Sequence, residues 1–167
     1  MVITKSELIA ALQDEVRILL HLASKVDPAK LDYRPTEKQR STIELLRYLS
    51  MMGPVLVDAA KTGTFNEALW NENETAANAR SFDETVAAIA AQSDAYATVL
   101  ADIADADFAA EIAPFRQPTT RGGFLVRWVL GGCAAYRTQL FCYLKSCGRE
   151  ELSTWDLWQG MDAPPKA

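Results

Sequence analysis

The chain has 167 residues, 49% of them hydrophobic, and a formal net charge of −5 at pH 7. This length and apolar share suit one domain with a buried core and are too small for two. An acidic chain with dispersed Lys and Arg is a poor match for a phosphate backbone, and no apolar run reaches the roughly 20 residues of a membrane span, so neither nucleic acid nor membrane is an expected partner.

The first helix is predicted over residues 5–26. Thr4 and Glu7 have capping-box spacing, which satisfies otherwise orphan amide groups. Leu8, Leu12, Val16, Leu19 and Ala23 recur at helical spacing on one face. Residues 27–40 form a turn-rich connection with Pro28 and Pro35. The second helix is predicted over 42–60, capped by Ser41 and Glu44, with Leu45, Leu46, Leu49, Met52 and Leu56 inward. Pro54 predicts a kink or an early stop, because an interior proline removes a donor and clashes with the preceding turn. Gly63 is placed for a left-handed stop.

Residues 61–80 read as a crossover that packs through Phe65, Leu69 and Trp70, with room for a short helical turn. The third helix is predicted over 82–105, capped by Ser81 and Glu84, and Pro114 and Pro118 make residues 106–120 irregular. The fourth is predicted over 121–147, with Leu125, Trp128, Val129, Gly132, Tyr136, Leu140, Tyr143 and Leu144 along one face and Gly148 as its stop. Residues 1–150 are thus read as an all-α four-helix bundle with long connections. Residues 151–167 are read as a short amphipathic C-terminal extension, packed partly on the bundle, whose Trp155 and Trp158 dock back or face a partner. Three cysteines (Cys133, Cys142 and Cys147) without a Cys-x-x-Cys pair, and an N-terminus lacking a long apolar stretch, point to a cytoplasmic protein with reduced thiols.

Two segments carry a family resemblance. ELLRYLS at 44–50 and YRTQLFCYLKSCG at 136–148 resemble, in order and separation, the ELL-x-HLA and HRGQ-x-x-x-YLR-x-x-G patterns of the DinB-like (DinB/YfiT-like) four-helix-bundle superfamily. The resemblance covers roughly residues 5–148. Metal-bearing members of that superfamily use one histidine from helix 2 and two from helix 4. Those positions fall here on Tyr48, Gly132 and Tyr136. Arg137 and Gln139 match the family pattern, and Thr138 departs from its glycine. The resemblance also implies a homodimer.

Zinc and nickel favour imidazole, thiolate or carboxylate donors. Glycine offers none, and a phenol with a pKa near 10 is a poor substitute. The three replacements therefore predict a metal-free protein with no cofactor, in which the inherited metal-dependent catalysis is not expected. Tyr48, Met52, Gly132 and Tyr136 become candidates for a small-molecule pocket, or else their side chains fill the space the metal would take. Arg137 and Gln139 are secondary polar candidates that point in different directions on an ideal helix. Arg137 reads as holding an acidic group, Cys133 as core packing, and His21, the only histidine, as an edge residue.

Three functions compete on this reading. The first is a metal-free protein that binds a small ligand or serves a structural role. The second is a divergent thiol-transferase or isomerase-like enzyme with a repurposed site, for which Asp14, Glu15, Glu44 and Glu74 are available carboxylates. The third is a homodimeric interaction protein that uses aromatic surface or tail residues.

Overall fold

Three capping boxes set the start of three long helices in the computed structural model, which describes residues 3–165. Helix α1 spans Lys5–Ala23, α2 Thr42–Thr62, α3 Glu67–Asn78 and α4 Phe82–Ala101. The reciprocal Thr4–Glu7, Ser41–Glu44 and Ser81–Glu84 bonds form at the starts of α1, α2 and α4. Gly63 ends α2 in the left-handed region at φ 78°, a conformation in which glycine has no Cβ penalty. The segment read as a crossover with a short turn is instead the 12-residue helix α3, capped by Asn66 and packed on α2. Its polar composition conceals it, because only a narrow strip, with Ala77 at its centre, is buried.

Pro54 neither stops nor breaks α2. The carbonyl of Leu49, in the turn before the proline, accepts a 2.9 Å hydrogen bond from Gln92 Nε2 on α4. Gln92 Oε1 in turn accepts from the Tyr96 hydroxyl at 2.8 Å. A side-chain pair on the neighbouring helix thus adds a donor to the turn before the proline and ties α2 to α4.

The irregular connection after α4 contains a minimal antiparallel pair, β1 (Glu111–Ile112) and β2 (Thr119–Thr120), with Glu111 opposite Thr120. The fourth long helix begins as α5 (Arg121–Phe124), widens into a π-helical turn over Leu125–Leu130, and continues as α6 (Gly131–Ser146). Glycine pairs flank the wide turn, Gly122–Gly123 and Gly131–Gly132, so no β-carbon at those positions resists the change of ladder.

Around the bundle, α1 packs beside α4 and α6, and α2 does the same, so α1 and α2 face each other across the core. Leu12, Leu22, Leu45, Leu46, Ile89, Leu100, Leu125, Val129 and Leu140 are completely buried there, each worth roughly 1.5–3 kcal/mol of transfer free energy. After α6, residues Ser153–Asp162 turn back along α1. Arg17 Nη1 donates to Gln159 O at 2.6 Å, and Arg149 Nη1 to Lys25 O at 2.6 Å. Among the described residues, no helix is long and apolar enough to cross a membrane.

Candidate metal centre

The bundle brings Tyr48 of α2 and Tyr136 of α6 together, with ring centroids 4.9 Å apart in an edge-on contact. A β-carbon at Gly132 would meet Met52 Cε at 3.3 Å and Sδ at 3.4 Å, so the methionine occupies the space beside the glycine. Burial, then the neighbouring Tyr136, push the Tyr48 phenol further above its ordinary range. A glycine, a thioether and two phenol rings do not fit the metal that the three-histidine pattern implies at this position.

The rings continue outward. Tyr48 touches Trp70, Trp70 touches Phe65, Phe65 touches Phe115, and Phe115 touches Phe124 and Trp128. On its open side Tyr48 lies under the Arg40 guanidinium, 3.9 Å from the ring centre, at a polar hollow of about 370 Å³ that Glu44, Arg47 and Glu74 also line. The secondary polar candidates point elsewhere. Gln139 donates to the Tyr143 hydroxyl, which donates to Arg40 O at 3.0 Å. Arg137 is buried against Glu15 of α1, Nε to Oε2 2.8 Å.

Metal donors gather on the other side of the molecule. His21 Nε2, in the last turn of α1, lies 2.9 Å from Asp156 Oδ1 and 3.8 Å from Asp162 Oδ1. One ligand atom from each of the three residues falls within 4.8 Å of the other two. Local chemistry orients this set. Asp156 Oδ2 accepts from Ser153 N at 2.8 Å and from Ser153 Oγ at 3.2 Å, which leaves Oδ1 to face the imidazole. Burial pulls the Asp156 carboxyl up, but its bonds to His21 and Ser153 outweigh this and hold it below the usual carboxylate range. Gly160, left-handed at φ 54°, turns the chain so that Asp162 returns to His21; a β-carbon there would lie 2.9 Å from Ile18 Cα. Lys25 pairs with the exposed Asp162.

This arrangement corrects three expectations. The chain is not read as metal-free, the absence of a cofactor does not stand, and metal-dependent chemistry is no longer unexpected, because His21, Asp156 and Asp162 form a cluster able to hold an ion. His21 is likewise no mere edge residue, since its side chain is only 14% exposed and hydrogen-bonded. The sequence signal was weak: Ser153–Asp156 has cap-like spacing, but 135 positions separate His21 from Asp156.

Comparisons with known proteins agree with the architecture. The model of the DinB superfamily matches residues 11–132. The chain is similar in fold to a DinB-like protein from Bacillus subtilis, with 16% identity, a TM-score of 0.70, and coverage of 87% of this chain and 94% of that one. No curated protein matches. With four long helices in the bundle and a family model that covers most of its length, this chain belongs to the DinB superfamily, and its candidate metal-binding residues differ from three histidines.

Proposed function

We propose that this protein binds a divalent transition-metal ion through His21, Asp156 and Asp162. The observation that carries this reading is the convergence of the three donors within 4.8 Å. One imidazole and two carboxylates neutralise a dication, and this mixed nitrogen–oxygen set suits zinc or manganese better than a soft, thiolate-seeking ion. Three protein donors leave coordination positions to water, and a bound ion supplies Lewis-acid chemistry at such positions. Ser153 holds Asp156 in place, and Lys25 competes with the ion for Asp162.

Isothermal titration of EDTA-stripped, untagged protein with Zn²⁺ and Mn²⁺ tests this. One ion per chain is expected. Asp162→Asn, at an exposed carboxylate, should weaken binding at least tenfold, or by about 1.4 kcal/mol, while Lys25→Ala strengthens it. Binding that neither substitution alters rules the site out.

The three free cysteines support a cytoplasmic protein, and the acidic net charge of −5 supports one that leaves nucleic acid alone. The exposed rings of Trp128, Trp155 and Trp158 support a homodimer. Light scattering across a concentration series decides the oligomeric state, and a monomer throughout removes that part of the reading.

A further inference from the structure

Beside the metal cluster, α1, the π-helical turn, α6 and the returning C-terminal segment line an open cleft of about 630 Å³. That is the size of a small-molecule site. Its walls are Ile18, Val126, Leu130 and the ring of Trp158, and Glu15 and Arg137 lie in it. The Arg137 side chain is 5% exposed and that of Glu15 is 13% exposed.

This ion pair is incompletely satisfied. A guanidinium carries five N–H donors and a carboxylate about four lone-pair sites. Among the described residues, Arg137 has one hydrogen-bond acceptor, Leu157 O. Its Nε and Glu15 Oε2 stand 2.8 Å apart, yet out of line for a hydrogen bond, and both atoms are buried. Burying two charges costs several kcal/mol per ion unless the remaining donors and lone pairs find partners. The remaining guanidinium N–H groups and carboxylate lone pairs therefore sit side by side in a cleft that is apolar along Ile18, Val126 and Leu130 and polar at its rim.

We infer that this cleft binds a small amphipathic molecule with a neutral amide head, its carbonyl on Arg137 and its N–H on Glu15. The charges select the head. A carboxylate would meet Glu15 and, at the rim, Asp14, while an ammonium would meet Arg137 and Arg17. A neutral group with an acceptor and a donor side by side matches the pair without adding charge. The apolar body lies along Val126 and Leu130, under Trp158, whose ring centre is 5.6 Å from the Arg137 guanidinium carbon. The inference does not depend on the metal reading.

Three probes with one body and different heads test it: 4-phenylbutanamide, 4-phenylbutanoate and 4-phenylbutylamine. Each is titrated into EDTA-stripped protein while ¹H–¹⁵N spectra follow the Arg137 Nε–H and Trp158 Nε1–H signals. The amide should shift both and bind about tenfold tighter than either charged analogue. Arg137→Lys should weaken amide binding about tenfold, with circular dichroism reporting whether the variant folds. Glu15→Gln removes the negative partner, so its preference should switch to the carboxylate. No shift with any probe at about 10 mM, equal affinity for the three heads, or a Glu15→Gln preference unchanged from the parent overturns the inference. Metal is absent throughout, so failure of the metal reading leaves this result intact.

Discussion

Gly53 shows how one missing side chain sets a helix contact. A β-carbon there would fall inside the contact distance of the Tyr96 hydroxyl, whose ring carbon Cζ is itself only 3.1 Å away. The tyrosine is 1% exposed and held by Gln92, so it cannot swing clear. Gly53→Ala should therefore destabilise by about 1–3 kcal/mol, as over-packing does. A urea midpoint measures this, and adding Tyr96→Phe should cost less than the two changes summed, since the clashing oxygen is gone. Cys133 gives a pH signature. Burial, then the nearby Glu15 charge, push its thiol up to about 12 from an ordinary 9.0. A folded-state pKa raised in this way contributes stability in full below the unfolded value. That contribution is lost as pH rises from about 9 toward about 12. The melting temperature should fall across that window, and less steeply in Cys133→Ala. If the two slopes match, the thiol is not responsible.

Among the elements, α2 and the returning C-terminal segment each depend on a partner helix. Gln92 ties the turn of α2 before Pro54 to α4. Gln92→Leu keeps the bulk but removes that tie and leaves the buried Tyr96 hydroxyl without its acceptor, a loss of about 1–3 kcal/mol. Hydrogen exchange should localise the loosening to the turn before Pro54, and uniform protection across α2 would count against the role given to Gln92. The Ser153–Asp162 segment has only a five-residue π-helical turn, Trp155–Gln159, of its own. Arg17, His21, Lys25 and Arg137 hold it; two of those four lie on α1 and Lys25 just past its end. A helix written as a core element thus doubles as the platform for the metal cluster.

At the scale of the whole molecule, a site that joins the first helix to the returning C-terminal segment couples ion binding to folding. An ion that binds only the native chain stabilises it by about 2.7 kcal/mol at a hundredfold excess over Kd. Calorimetry should show a melting temperature that rises with added Zn²⁺ or Mn²⁺, falls back with EDTA, and rises less in Asp162→Asn. A rise of equal size in that variant would place the ion elsewhere. The bundle itself does not need the cluster, because its core is a continuous apolar packing of α1, α2, α4 and α6.

The three Ser/Thr-x-x-Glu boxes, the helical spacing of the leucines, and Gly63 were enough, without coordinates, to give the all-α bundle and the starts of α1, α2 and α4. These are local signals, set within a few residues by backbone donors, acceptors and sterics. The resemblance through Tyr48, Gly132 and Tyr136 was legible for the same reason: the two tyrosines lie inside short continuous motifs and Gly132 stands four residues before one of them. Helix α3 was obscured because its polar sequence is helical largely through packing on α2. The π-helical turn, the Gln92 bond to α2, the Glu15–Arg137 pair and the His21–Asp156–Asp162 cluster each join or reshape segments for which sequence spacing has no rule. Only the tertiary structure decided these, because donors distant along the chain become neighbours through the burial of the faces between them, and that is a property of the packed bundle.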